Sequence, residues 1–427
     1  MNSYRTMTKQ ELLSEREKMQ NEYEKFAKMD LKLDMSRGKP GSDQLDLSNE
    51  MLAVKCDEII AAEDGFDLRN YGILDGIPEA KKLFSDIMDV DESQIIVAGN
   101  SSLNLMYDAV MKAMLLGVKG GEKPWSKGEK VKFLCPSPGY DRHFAICENL
   151  GIEMVTVPMQ DDGPDMEIIE NLVSNDESIK GIWCVPLYSN PTGISYSDEK
   201  VRRFAGLKPA ARDFRIFWDN AYCIHSISEK DDKILNLIDE CEKAGNPDIA
   251  YVFASTSKIT FPGAGVAVMC ASKGNIDFIK AQMAVQTIGH DKLNQRRHVR
   301  FFKDKAGVFA HMKRHKSILA PKFAAVLSTL DREVGALEIA SYNRPNGGYF
   351  VSVDVMDGCA KRVVSLCKEA GVVLTPAGAT FPYGADPQDA NIRLAPTYPS
   401  LPELEKAMEI FCVSVKLASL EKLTANA

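Results

Sequence analysis

Between about residues 75 and 270, short apolar runs alternate with stretches of helical spacing. The runs are VKFLCPSP (131–138), GIWCVPLY (181–188), FRIFWDN (214–220), IAYVFAS (249–255) and GVAVMCA (265–271). Each is short, rich in β-formers and apolar throughout rather than alternating, which predicts a strand covered on both faces. Helical spacing is clearest after Ser102, where Leu103, Met106, Tyr107, Val110 and Met114 fall on one face. The succession predicts βαβ units around a mostly parallel sheet, an α/β architecture. The first thirty residues predict a polar helix, and Arg37-Gly38-Lys39-Pro40-Gly41 predicts a loop. Near the other end, GGYFVSVDV (347–355) and GVVLTPAG (371–378) predict strands of a smaller α+β unit. A helical stretch from about 300 to 330 is the expected connector. The expected division is residues 1–55 as an N-terminal segment packing with the small unit, 56–320 as a large domain, and 321–427 as a small C-terminal domain.

Charge and cysteine content narrow the partners. Lys+Arg number 52 against 60 Asp+Glu, a net charge of −8, which argues against general binding to nucleic acid or an anionic membrane. The ten cysteines form no C-x-x-C pair, so neither a disulfide framework nor a metal site is expected, and reduced thiols are. Residues 1–30 are too charged for a signal-peptide core, and no apolar stretch reaches the ~18 residues of a membrane span. A soluble, cytoplasmic protein is the expectation.

In open α/β sheets, ligands collect beyond the carboxyl ends of the strands. Several unusual groups fall there. Asn100-Ser101-Ser102 opens a helix; it offers hydroxyls and free N–H groups to a phosphate, or simply caps the helix. Asn190, in Ser189-Asn190-Pro191-Thr192-Gly193, has an amide free to meet a ligand oxygen, although such a sequence also makes a plain turn. Asp219 ends FRIFWD, and a carboxylate there needs a cationic or hydrogen-bonding partner. Lys258 follows IAYVFASTS, where desolvation would turn an ammonium into a nucleophilic amine; otherwise it snorkels to the surface. Arg393 is the single cation in NIRLA, suited to bidentate recognition of a carboxylate or to a structural ion pair.

Their order and separation together carry more than each alone. S-S at a helix start, Tyr140 in P-x-P-G-Y, N-P-T-G, D-x-x-Y, S-x-S-K and a late I-R resemble the class I aminotransferases of the fold-type I pyridoxal-phosphate enzymes, from Tyr71 to Arg393. SRGKPG, YGILDG, STSKITFPGAG and NIRLAPTYP resemble more particularly the bacterial type Ic aspartate aminotransferases. The resemblance implies a large pyridoxal-phosphate-binding domain beside a small α+β domain. It implies that Lys258 holds the cofactor covalently and then serves as base and acid. Asp219 would keep the ring nitrogen protonated, Asn190 and Tyr222 would bond the phenolic oxygen, and Tyr140 would stack on the ring. Asn100, Ser101, Ser102, Ser255 and Ser257 would hold the phosphate, with Tyr71 reaching in from the second subunit of a homodimer. Arg37, Gly38 and Arg393 would contact the substrate, Arg393 through its α-carboxylate.

The implied reaction moves an amino group from L-aspartate to 2-oxoglutarate, giving oxaloacetate and L-glutamate. Another amino donor, or β-elimination on the same fold, is the alternative, because reaction type lives in the pocket. A regulator with an aminotransferase-like domain fits less well: about thirty residues before SRGKPG are too few for a winged DNA-binding domain. The family places an arginine on the phosphate shortly after the lysine, whereas Ala264 stands at the corresponding place here. Ser257 and Thr260 are the expected substitutes. A dicarboxylate substrate also needs a second cation, from Arg37 or from the segment Gly289–Arg297, most of whose charges are expected to be solvated.

Overall fold

The computed structural model describes residues 3–128 and 130–426. Its strands, in chain order, are β1 Leu33–Asp34, β2 Ile95–Val97, β3 Lys132–Ser137, β4 Glu153–Gln160, β5 Gly163–Pro164, β6 Ile179–Cys184, β7 Arg215–Asp219, β8 Ala250–Ser255, β9 Ala267–Cys270, β10 Ala340–Tyr342, β11 Val351–Val355, β12 Val372–Val373 and β13 Asn391–Leu394. Eight of them form one sheet in the order β2-β9-β8-β7-β6-β3-β4-β5. From β4 to β8 every pairing is parallel; β9 runs antiparallel to both β8 and β2. Helices cover both faces, which explains why the interior strands are apolar along their middles on both faces. Ile216 and Trp218 of β7 enter one core, and Phe217 enters the other. In the same way β8 divides into Val252 and Ala254 against Tyr251 and Phe253. Each such side chain contributes roughly 1.5–3 kcal/mol by leaving water.

All five apolar runs are strands. Two strands toward the edges of the sheet escape that criterion. Ile95–Val97 is only three residues long. Glu153–Gln160 has only Met154 and Val157 buried, one in each core, with exposed positions between and after them, and it carries Pro158, which reads against a central strand.

A third core lies in the smaller unit, where β10, β11 and β13 form an antiparallel sheet and β1 pairs with β12. Leu12, Met19 and Tyr23 of the first helix, Lys9–Ala27, pack into that core with residues of the last helix. The helix Lys305–Glu333 joins the cores: Val308 and Met312 enter the large one, while Phe323, Val326 and Leu330 enter the small one. Among the described residues no helix is long and apolar enough to cross a membrane. Nine cysteines are free thiols, and the Cys56 side chain lies outside the described set.

Candidate active site

The carboxyl ends of β2, β3, β6, β7 and β8 surround a cavity of about 300 Å³, at the small end of the range for small-molecule sites. Asn100, Ser101, Ser102, Tyr140, Asn190, Asp219, Tyr222, Ser255, Ser257 and Lys258 all line it. Residues up to 158 positions apart in the chain therefore share one hollow, because parallel strands deliver all their carboxyl ends to the same edge. A larger cleft, about 620 Å³, lies beside the connector helix and is lined by none of the predicted residues.

The hydroxyls cluster at the start of the helix Ser102–Leu116. Ser101 caps that helix by accepting from the Asn104 N–H at 3.4 Å. Ser255 donates to Ser257 Oγ at 3.0 Å, and Ser257 donates to the Asn100 carbonyl at 3.2 Å. A cluster of small donors beside open helix N–H groups suits a phosphate. Thr260 is not part of it: its hydroxyl is buried against His298 Nε2 at 3.0 Å and Thr256 Oγ1 at 3.1 Å.

Lys258 is pinned by its backbone. Its carbonyl accepts from Tyr349 Oη at 3.1 Å and meets His225 Nε2 at 3.4 Å. Gln44, from the N-terminal segment, donates in turn to Tyr349 Oη at 2.9 Å. The amine end lies 4.5 Å from the centroid of the Tyr222 ring. Burial, reinforced by the Asp219 charge, pushes the Tyr222 phenol far above its ordinary pKa. Tyr140, also pushed up chiefly by burial, reaches about 12.

Asp219 is 3% exposed. His143 Nε2 lies 3.1 Å from its Oδ2, and the imidazole stacks on Trp183 with centroids 4.4 Å apart. Among the described residues Oδ1 has no partner. A buried carboxylate with one oxygen unsatisfied carries a steep desolvation cost, and that oxygen is positioned for a donor absent from the polypeptide. His143 was not anticipated. In the sequence it is one polar residue in the first turn of the helix Asp141–Asn149, 76 positions from Asp219, and nothing local marks the pairing.

The remaining predicted residues stand outside the cavity lining. Arg393, on β13, bonds Asn190 Oδ1 at 3.2 Å and pairs with Asp141 Oδ1 at 2.8 Å. Its guanidinium lies over the Phe350 ring, 4.9 Å from the centroid. Gly38 approaches the same ring so closely that a Cβ there would sit 2.3 Å from Phe350 Cζ. Arg37 is exposed on the adjoining loop and, among the described residues, forms no ion pair. Tyr71 is 78% exposed.

The segment Gly289–Arg297 differs from expectation. Lys292, Asn294, Gln295 and Arg296 are buried. Arg296 pairs with Glu79 at 3.1 Å, Asn294 donates to the Ala264 and Gly265 carbonyls, and Gln295 bonds the Ile77 N–H and the Val97 carbonyl. Polar side chains spaced along one helix read as a solvated face; here Asn294 and Gln295 bond neighbouring backbone and Arg296 pairs with carboxylates instead.

The model of the aspartate amino-transferase family matches residues 7–427. An aspartate aminotransferase of Corynebacterium glutamicum is 43% identical over 405 residues, 95% of this chain and 94% of its own length. A Mycolicibacterium smegmatis relative, 47% identical over 99% of this chain and all of its own, is described only provisionally as an aminotransferase. The crystal structure of an aspartate transaminase from C. glutamicum superposes with a TM-score of 0.94 at 42% identity, covering 97% of each chain. An α-aminoadipate aminotransferase of Thermus thermophilus, complexed with a phosphopyridoxyl-leucine, shares the fold at TM-score 0.74 and 21% identity over 95% of each chain. The chain thus belongs to the aspartate amino-transferase family, whose members have the fold of the fold-type I aminotransferases and use pyridoxal phosphate.

Proposed function

We propose that the protein transfers the amino group of L-aspartate to 2-oxoglutarate, producing oxaloacetate and L-glutamate, as a cytoplasmic homodimer with pyridoxal phosphate at Lys258. The observation that carries the reading is the Asp219 carboxylate, buried, oriented by His143 and left with one unpartnered oxygen in the same cavity as the lysine. That arrangement, with a hydroxyl cluster at a helix start, fits a ligand that has a basic ring nitrogen at one end and a phosphate at the other.

When bound, pyridoxal phosphate supplies an aldehyde that condenses with amines and a ring that accepts an electron pair. The polypeptide does the rest. Lys258 Nζ is the nucleophile that holds the cofactor, and afterwards the base that moves the proton at the substrate α-carbon. Asp219 Oδ1 would accept a hydrogen bond from the ring nitrogen and keep it protonated, and His143 fixes the carboxylate that does so. Asn190 and Tyr222 bond the phenolic oxygen, and Tyr140 covers the ring. Ser101, Ser102, Ser255, Ser257 and Asn100 take the phosphate, with hydroxyls and helix N–H groups standing in for the arginine replaced by Ala264. Arg393 takes the α-carboxylate. For the distal carboxylate Arg37 is the better of the two sequence candidates. It adjoins Gly38, which packs on the ring beneath Arg393, whereas Lys292 is buried away from the cavity lining.

Purified protein is expected to be yellow, to lose its visible band on borohydride reduction, and to carry the reduced adduct on Lys258. Mapping of the adduct to another lysine overturns the assignment. For the substrate, kcat/KM is compared for aspartate, alanine and leucine with 2-oxoglutarate as acceptor. Aspartate is expected to lead, and Arg37→Ala to cost aspartate roughly 2–5 kcal/mol, the scale of a truncated buried charge pair, while costing the other two much less. A preference for alanine or leucine in the unaltered protein refutes the dicarboxylate reading.

A further inference from the structure

Arg393, bonded to Asn190 in the cavity wall, has nearly all of its donors occupied. A guanidinium has five N–H groups. Nη1 uses both of its hydrogens, toward Asp141 Oδ1 at 2.8 Å and Asn190 Oδ1 at 3.2 Å. Nε and Nη2 each give one to Thr375 Oγ1, at 3.3 and 3.2 Å. A single Nη2 hydrogen remains. A carboxylate bound in the bidentate manner needs two parallel N–H groups from the fork, so it cannot engage Nη1 and Nη2 while all three partners stay.

The surroundings select which partner leaves. Asn190 is 3% exposed, within the cavity wall. Thr375 is tied down, donating to the Ser36 carbonyl at 2.6 Å. Asp141 is different: its side chain is 32% exposed, so it has room to swing toward water. It is also the first residue of the nine-residue helix Asp141–Asn149, and the N-cap, Tyr140, makes no side-chain capping bond. A carboxylate released from Arg393 therefore stays beside open N–H groups and the positive end of the helix dipole, where negative charge is stabilised.

We propose that Asp141 is an exchangeable counter-ion for Arg393: it neutralises the guanidinium in the absence of substrate and yields it to the incoming α-carboxylate. The inference rests on the reading of Arg393 as the α-carboxylate clamp. Binding is then an exchange of one carboxylate for another, so Arg393 is never left buried and unpaired, a state that costs far more than either pair. The exchange weakens amino-acid and oxo-acid binding alike, which favours release of whichever product has formed. Asp141 is thus a positioning residue, acting through Arg393.

The test compares the unaltered holoenzyme with Asp141→Asn, Asp141→Ser and Asp141→Glu. Succinate, a dicarboxylate with no amino or oxo group to react, is titrated against the cofactor absorbance to give a Kd, and KM and kcat are measured for both substrates. Removing the competing charge is expected to tighten succinate binding and lower both KM values on the order of tenfold, the scale of one hydrogen bond to a charged group. kcat should move much less, and Asp141→Glu should restore the original constants. A purely structural role predicts the opposite direction, weaker binding in both neutral variants. Unchanged or weaker succinate binding, in whichever neutral variant retains the cofactor absorbance, overturns the exchange. Arg393→Lys separates the two levels of the argument. If it leaves succinate and substrate binding intact, the clamp itself is refuted; if it abolishes binding while the neutral Asp141 variants show no tightening, only the exchange is.

Discussion

At the scale of single residues, the strongest feature is a buried carboxylate with one oxygen held and the other free. His143 donates to Asp219 Oδ2, and Trp183 fixes the imidazole plane by stacking at an interplanar angle of 11°. A buried carboxylate oxygen without a partner is costly, and a protonated ring nitrogen facing Oδ1 would satisfy it. Asp219→Ala should therefore still bind the cofactor through Lys258 and the hydroxyl cluster, yet lose roughly 10²–10⁴-fold in turnover. The visible spectrum reports retention and kcat reports the loss; near-normal turnover with the cofactor bound contradicts the role. The motif residues around Lys258 were legible because each stands where an apolar strand ends, and a polar group there demands an explanation. His143 and Asp141 were not, since polar residues in a helical first turn are ordinary. Only the superposition of β3, β7 and β13 in space reveals what they meet.

At the scale of elements, burial on both faces made the interior strands readable, and the exposed positions interspersed along β4 hid it. The helix Lys292–Phe302 shows the reverse failure: polar residues that would mark a solvated face are buried and bonded to backbone. Its His298 sits beneath the turn that carries the lysine, with Nδ1 2.8 Å from the Asn294 carbonyl and Nε2 3.2 Å from Thr256 Oγ1. Burial lowers its pKa from 6.5 to about 4. His315, lowered to about 4, and His225, lowered to about 3, are buried nearby for the same reason. Between these values and 6.5 the unfolded chain binds protons that the folded chain refuses. The unfolding free energy therefore rises with pH in that window and is lost as pH falls through it, at up to ~1.4 kcal/mol per pH unit for each histidine. Denaturant midpoints measured from pH 7 down to 4 should fall steeply, and His298→Asn should flatten part of the slope. An identical slope in that variant shows that His298 does not remain neutral in the fold.

At the scale of the whole molecule, the site as proposed is incomplete within one chain. Tyr71, which the resemblance would put against a partner's phosphate, is an aromatic side chain 78% exposed, and it is not alone: Val285 is 92% and Ile288 60% exposed. The backbone brings these together, since a Cβ at Gly289 would lie 2.4 Å from the Gly72 carbonyl. Large apolar groups gathered on a surface mark a contact with another molecule, and Tyr71, which does not line the cavity of its own chain, would reach a phosphate only in the second copy that the resemblance implies. In a two-fold dimer the contribution is mutual. Tyr71→Ala and Lys258→Ala should each be severely impaired as homodimers. Mixed and allowed to exchange subunits, they form hybrids with one site that has both residues intact and one that has neither. Random pairing of equal amounts leaves about a quarter of all sites complete, so activity should recover to roughly that fraction of the unaltered enzyme. Exchange demonstrated by mass or a tag, with no recovery, places Tyr71 in its own subunit's chemistry or in none. A monomer at enzyme-assay concentration refutes the shared site directly, while leaving Lys258 and Asp219 to be judged on their own variants.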